Sequence, residues 1–275
     1  MTGADQYCVF GNPIAHSKSP DIHAAFAAQT GQRIGYARRL APLGGFADAV
    51  RQFIAEGGQG ANVTLPFKLD ACALADTLTA RGRAAGAVNT LSFRDGAIVG
   101  DNTDGAGLVA DILRNAGVAI EGKRVLLLGA GGAARGALLP LLAQHPALVT
   151  IANRTPATAA ALARQFSAAA GRAQLLACEF GGLDTAFDII INATSASLSR
   201  QMPPLAPAVF GASTLALDMM YGKEPTVFLE FAAAHGAQVR DGLGMLVEQA
   251  AEAFFVWRGV RPETGALLAQ MRLPA

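Results

Sequence analysis

Apolar and polar residues alternate in two successive series along the chain. In the first, Tyr7–Phe10 is a short apolar run that predicts a strand. A helix follows over Asp21–Thr30, introduced by Ser19-Pro20, and a second over Phe46–Ala55, closed by Gly57-Gly58. Ala61–Leu65 alternates strictly and predicts a strand, with Asn62 and Thr64 on one face and Val63 and Leu65 on the other. Lys68–Thr79 predicts a helix. Val88–Phe93 and Ala97–Val99 flank Arg94-Asp95-Gly96, a hairpin pattern with an Asp-Gly turn. Gly105–Asn115 predicts a helix ending before Gly117.

The second series predicts strands at Val125–Leu128, Leu148–Ala152, Asp188–Ile191, Leu215–Met219 and Ala237–Arg240. Helices are expected at Ala133–Gln144, Thr158–Ala169 and Thr226–His235, then from Leu243 to Arg258 and beyond. Strands alternating with helices imply an α/β fold with parallel sheets and right-handed crossovers. The expected division is an N-terminal α/β domain over residues 1–104, a nucleotide-binding domain over 105–242, and a helical segment over 243–275 packing back on the first domain.

Composition narrows the class. The chain has 275 residues, 52% hydrophobic and 16% charged, with a net charge of +1. It is too apolar for disorder, and its neutral balance argues against a nucleic-acid scaffold. The charge-free stretches Gly136–Asn153 and 201–217 are interrupted by prolines, so neither reads as a membrane span. The N-terminus shows no secretory pattern, and Cys8, Cys72 and Cys178 are few, odd in number and far apart. Together these predict a cytoplasmic protein with reduced thiols. The histidines show no metal-ligand spacing, so no metal is expected. There are 18 arginines but only four lysines: Lys18, Lys68, Lys123 and Lys223.

The strand at Val125–Leu128 runs into Gly129-Ala130-Gly131-Gly132-Ala133-Ala134, the G-x-G-x-x-A form of the dinucleotide fingerprint. Gly129 permits the tight turn, Gly131 lets the backbone approach a pyrophosphate, and Ala134 lets the helix pack on the strand. An ordinary glycine-rich turn is the plainer alternative. After the next strand, an NAD enzyme carries Asp or Glu for the ribose hydroxyls, whereas this chain has Asn153-Arg154-Thr155. A guanidinium pairs with a phosphate, which favours the 2′-phosphate of NADP over an arginine that merely caps a loop.

In the first domain, Asn62 and Thr64 stand at the C-terminal end of a strand, where open α/β sheets bind ligands; a solvent-facing strand side is the competing reading. Lys68 follows at a helix start. Ser17 and Ser19 place two hydroxyls around a turn, although Ser19 before Pro20 also suits an N-cap. Asn89 lies near a strand, and Asp101-Asn102-Thr103-Asp104-Gly105 precedes a helix that Thr103 or Asp104 could cap.

These segments occur together in one order: N-P-I-x-H-S-x-S-P, N-V-T-x-P-F-K, G-A-V-N-T, D-N-T-D-G, G-A-G-G-A, N-R-T, N-A-T-S and D-G-L-G-M-L-V-x-Q. The set resembles the shikimate dehydrogenase family from about Tyr7 to Trp257. The resemblance implies a substrate domain, a Rossmann-type NADP domain and a cleft between them. The implied reaction is the reversible NADPH-dependent reduction of 3-dehydroshikimate to shikimate, on the route to aromatic amino acids.

By motif position, Lys68 and Asp104 are the implied catalytic pair. Ser17 and Ser19 are implied to bind the substrate carboxylate. Thr64, Asn89, Asp104 and Lys68 are implied to meet the ring hydroxyls, with Asn62 nearby and Gln249 and Tyr221 also reaching the substrate. Gly129, Ala130, Gly131, Gly132 and Ala133 are implied to hold the pyrophosphate, and Asn153, Arg154 and Thr155 the adenosine phosphate end. Met219 and Gly242 fall near the nicotinamide.

Two positions depart from the family pattern. Thr158 stands where many relatives carry a second arginine, which leaves the phosphate clamp mainly to Arg154. Ala196 and Ser197 stand where the N-A-T-S segment is usually followed by a residue and then Gly. The expected partner is a small molecule, taken by a monomer or homodimer. A broader quinate/shikimate dehydrogenase using NAD or NADP and a non-catalytic dinucleotide-sensing module are the competing functions. The N-R-T segment speaks against NAD preference, and the presence of both Lys68 and Asp104 speaks against the second.

Overall fold

The apolar run at Tyr7–Phe10 becomes the centre of β1 (Asp5–Gly11), whose last five residues are buried. In the computed structural model, which describes residues 3–196 and 200–273, β1 lies between β2 (Ile34–Leu40) and β3 (Gly58–Val63), parallel to both. β3 pairs antiparallel with β5 (Thr90–Arg94), and β6 (Ala97–Asp101) returns from β5 as the expected hairpin. Asp95 and Gly96 take φ of 51° and 76° in its turn, the left-handed conformation that a two-residue turn of this hand demands. β4 (Thr77–Leu78) closes the far edge, so the first sheet is mixed, in the order β2-β1-β3-β5-β6-β4.

Helices α1 (Ser19–Thr30), α2 (Phe46–Ala55), α3 (Lys68–Leu74) and α4 (Ala80–Ala85) accompany this sheet. One core gathers Phe10, Phe46, Val50, Phe53, Val63, Phe67 and Leu91. A further cluster joins Tyr7 to Ala253 and Trp257 of α9 (Leu243–Arg258). The chain up to Gly107 and from Val247 onward therefore forms one compact unit, which also carries the short helix α10 (Gly265–Met271).

The helix expected over Lys68–Thr79 stops at Leu74. Asp76 is clipped to β6 at two points: its N–H donates to Ile98 O at 2.9 Å, and its carboxylate accepts the Ile98 N–H at 2.7 Å. That pull draws Thr77–Leu78 into the sheet. The start of α1 also moves two residues earlier than expected, from Asp21 to Ser19. Lys18 is the N-cap, Ser19 is the first helical residue, and the Ser17 Oγ accepts the Ser19 N–H at 3.3 Å.

Within α1, His23 is fully buried, stacked on Tyr36 with ring centroids 4.2 Å apart, and neither ring nitrogen has a hydrogen-bond partner. Burial lowers its pKa from 6.5 to about 3, outweighing the nearby Asn62 side chain, which favours the charged form. The unfolded chain therefore takes up this proton first as pH falls. The stability held by neutral His23 is complete above about pH 6.5 and declines toward pH 3. Between pH 7 and pH 5 the loss is about 2 kcal/mol. Urea unfolding at the two pH values should show this drop, and His23→Phe should remove most of it; an equal drop in the variant would assign it elsewhere.

The second unit, Leu108–Leu246, holds an all-parallel sheet. Its strands are β7 (Arg124–Leu128), β8 (Leu148–Ala152), β9 (Gln174–Cys178), β10 (Ile189–Asn192), β11 (Leu215–Asp218) and β12 (Gln238–Arg240), in the order β12-β11-β10-β7-β8-β9. The winding reverses between β7 and β10, and the carboxyl ends of strands at such a reversal are where open α/β sheets bind ligands. α6 (Gly132–Leu142), α7 (Pro156–Phe166) and α8 (Val227–Ala234) supply crossovers, while α5 (Asp104–Ala110) carries the chain out of the first unit. Among the described residues no helix is long and apolar enough to cross a membrane.

Candidate active site

β3 delivers Asn62 and then Thr64 to the end of the first sheet, and α3 begins at Lys68. β6 delivers Asp101, after which Asn102 and Thr103 lead to Asp104 at the start of α5. The Asp104 N–H donates to Asn102 Oδ1 at 3.1 Å, and the Asp104 carboxylate turns to Lys68. Lys68 Nζ donates to Asp104 Oδ2 at 2.5 Å. Both side chains keep part of their surface open, 29% for Lys68 and 23% for Asp104, so an incoming molecule can reach the pair.

The other carboxylate oxygen, Asp104 Oδ1, accepts from Asn89 Nδ2 at 2.8 Å. Asn89 Nδ2 also points toward Thr103 Oγ1 at 3.0 Å and Gln249 Oε1 at 3.3 Å, which brings in α9. Asn62 Nδ2 donates to the Asn89 carbonyl and to Thr90 Oγ1, each at 3.2 Å. Five of the anticipated residues, Lys68, Asp104, Asn89, Asn62 and Gln249, thus belong to one network. Ser17 and Ser19 pair with each other, oxygen to oxygen at 3.2 Å. Thr64 is partly exposed beyond the end of β3.

Sequence reasoning missed the ions that brace this wall. Arg81 grips Asp101 with two nitrogens, at 2.5 and 3.1 Å, and reaches Glu252 of α9 at 2.7 Å. Thr79 Oγ1 donates to the same Asp101 carboxylate at 2.5 Å, and so does the Asn102 N–H at 2.7 Å. Burial opposes the charge on Asp101, but the Arg81 and Thr79 hydrogen bonds overrule it and hold the carboxyl below its usual range. The loop bearing Asp104 is thereby anchored one residue before Asn102. Tyr36, whose hydroxyl donates to Asn62 Oδ1 at 2.7 Å, was missed as well.

In the second unit, Gly129 takes φ of +98°, and a Cβ there would sit 3.1 Å from Thr194 Cγ2. Ala130 is buried, while Gly131, Gly132 and Ala133 are exposed, with open space where side chains of Gly131 and Gly132 would project. Gly131 caps α6 with no side chain on the first N–H groups. A bare helix N-terminus behind an open glycine turn suits a pyrophosphate, so these residues fit a dinucleotide. Asn153 Nδ2 donates to Thr155 O at 3.0 Å, and Arg154 and Thr155 are exposed beyond β8. Thr158, also exposed, lies in the first turn of α7.

Met219 follows β11, and Gly242 lies against it: the Gly242 N–H donates to Met220 O at 2.9 Å. Buried Asp218 shapes this turn by accepting from Asn192 Nδ2 at 3.0 Å, Thr226 Oγ1 at 2.7 Å and the Met220 N–H at 3.0 Å. Tyr221 is 39% exposed, and its pKa is raised by burial and by Asp241. Ser197 lies outside the described residues.

Comparison with known proteins matches three family profiles along the chain. They are the shikimate dehydrogenase substrate binding domain over residues 9–91, shikimate / quinate 5-dehydrogenase over 111–201, and the shikimate 5′-dehydrogenase C-terminal domain over 242–272. The shikimate dehydrogenase (NADP(+)) of Janthinobacterium sp. strain Marseille is 63% identical over 271 residues, covering 98% of each chain. Among solved structures, an Ael1 enzyme from Pseudomonas putida is 48% identical with a TM-score of 0.94, covering 98% of this chain and 99% of that one. Shikimate 5-dehydrogenase from Thermus thermophilus, in complex with NADP(H) and shikimate, is 31% identical with a TM-score of 0.83, covering 98% of each chain.

Proposed function

Since the chain belongs to the shikimate dehydrogenase family, we propose that Lys68 and Asp104 are the proton-transfer pair of its reaction. That reaction is the reversible, NADP-dependent interconversion of 3-dehydroshikimate and shikimate, a step toward aromatic amino acids. The observation that carries the reading is the 2.5 Å contact of Lys68 Nζ with Asp104 Oδ2 at a partly open surface. We place the chain in the cytoplasm, a setting consistent with its free cysteines Cys8, Cys72 and Cys178.

Bound NADPH supplies the hydride. As the substrate ketone is reduced, negative charge grows on its oxygen. The Lys68 ammonium stabilises that charge and delivers the proton that completes the hydroxyl. Asp104 orients the ammonium through Oδ2, while Asn89 holds its Oδ1. In the oxidative direction, neutral Lys68 accepts the proton from the substrate hydroxyl. An arginine could supply the charge but not the proton, since a guanidinium does not ionise at working pH. Ser17 and Ser19 hold the substrate carboxylate with two neutral hydroxyls; Thr64, Asn62, Asn89, Gln249 and Tyr221 contact the rest of the ring.

Gly129, Ala130, Gly131, Gly132 and Ala133 take the pyrophosphate on the open end of α6. Asn153, Arg154 and Thr155 hold the adenosine phosphate, and Met219 and Gly242 flank the nicotinamide. With Thr158 in place of a second arginine, the phosphate clamp falls mainly to Arg154. Arg154→Ala should raise KM for NADPH about tenfold or more while leaving KM for shikimate within about twofold, the loss of one charge-assisted contact. Equal changes in both constants would remove Arg154 from the clamp. The test of the whole reading is cofactor reduction followed by absorbance, with shikimate or quinate and with NADP or NAD. Turnover greatest with shikimate and NADP is expected; quinate with NAD matching it would replace the reading with a broader dehydrogenase.

A further inference from the structure

Backbone groups set the orientation of both asparagine amides in the first unit. Asn62 Nδ2 lies 3.2 Å from the Asn89 carbonyl, which can only accept. Its Oδ1 must therefore face Tyr36, and the phenol donates to it at 2.7 Å. Asn89 Oδ1 lies 2.8 Å from the Thr103 N–H, which can only donate. Its Nδ2 must therefore face the Asp104 carboxylate.

Thr90 links the two amides. Its hydroxyl accepts from Asn62 Nδ2 at 3.2 Å and donates to Asn89 Oδ1 at 2.9 Å. The donors thus run in one direction, from Tyr36 to Asn62 to Thr90 to Asn89 to Asp104. Thr90 is fully buried, so no solvent replaces a missing partner. The Tyr36 ring is held by stacking on His23. Burial raises the Tyr36 pKa, with Cys8 adding to it and the Ser19 hydroxyl opposing, so the phenol keeps its proton.

From this geometry we infer that Tyr36 and Thr90 are positioning residues for the proton-transfer pair. Neither is bonded to Lys68 or Asp104. With the sense of the Asn89 amide set by the Thr103 N–H, they hold that amide in place against the Asp104 carboxylate. The inference rests on the reading of Lys68 and Asp104 as that pair.

The test compares Thr90→Val, Thr90→Ser, Tyr36→Phe and Asp104→Asn by kcat and by KM for shikimate and NADP. Thr90→Val should lower kcat about tenfold, the effect of one hydrogen bond, with KM for NADP within about twofold. Thr90→Ser keeps the hydroxyl and should return kcat to within about twofold of the parent. Tyr36→Phe should lower kcat in the same way but less, and it decides the matter if Thr90→Val does not fold. Serine as impaired as valine would point to packing and overturn the inference. Inactive Asp104→Asn beside unchanged Thr90→Val and Tyr36→Phe would overturn the positioning role alone. Active Asp104→Asn would overturn the catalytic pair and the inference with it.

Discussion

Lys68→Ala should lower kcat by about 10²- to 10⁴-fold, the range for losing a positioned acid–base group. KM for shikimate should change only modestly, because Ser17, Ser19, Thr64 and Gln249 remain. The variant should stay folded. Lys68 is partly exposed, and the Asp104 it leaves behind keeps the Asn89 hydrogen bond and a share of solvent. Lys68→Arg separates charge from proton transfer: the cation and its tie to Asp104 can persist, but the proton cannot leave. Turnover in the arginine variant should therefore stay within about tenfold of the alanine variant rather than the parent. Near-normal kcat in Lys68→Ala would end the assignment, and an arginine variant restored to parental kcat would reduce Lys68 to a fixed charge.

The lysine count of the chain already pointed in this direction. With only four lysines among its cations, Lys68 was the one set in a specific motif and matched with Asp104. What the motif order did not contain is how the pair is held. Asp101 opens D-N-T-D, but its grip by Arg81 joins residues 20 positions apart, and Arg81–Glu252 joins residues 171 apart. Such contacts leave no mark in local pattern. Tyr36 was hidden for a different reason. It lies on β2, an edge strand whose residues are all at least partly exposed, so Ile34–Leu40 never forms the apolar run that marked β1 or β7. β9, at one edge of the other sheet, also escaped notice although Leu175–Cys178 is an apolar run; its residues too are all at least partly exposed. Central strands are legible because both faces are buried; edge strands need only one. The helix expected through Thr79 failed because two hydrogen bonds to Ile98, from across the sheet, outweigh local propensity at Asp76.

Two glycines of the second unit should differ in how alanine affects stability. A Cβ on Gly242 would stand 2.2 Å from Met219 O and 2.6 Å from Met219 C, both backbone atoms that cannot rotate aside. The Met219 peptide is itself held, since its N–H donates to Asn192 O at 3.0 Å and the next N–H to Asp218. Gly242→Ala must therefore push β11 and the start of α9 apart, destabilising by about 1–3 kcal/mol, the usual range for overpacking. A midpoint fall of several degrees should follow in thermal unfolding, together with weaker NADPH binding, because the displaced segment carries Met219. Gly131 is the contrasting case. No atom lies within 4 Å of its added Cβ, and its φ of −84° is open to any residue. Gly131→Ala should leave the midpoint unchanged within about 1 °C, as surface substitutions usually do, yet weaken NADPH in a fluorescence titration. A methyl at that point would occupy the approach proposed for the pyrophosphate to the backbone. Parental affinity in Gly131→Ala would remove the pyrophosphate from this turn, and a parental midpoint in Gly242→Ala would mean that the Met219 segment yields freely. The pair thus separates a glycine required by the fold from one required by the ligand.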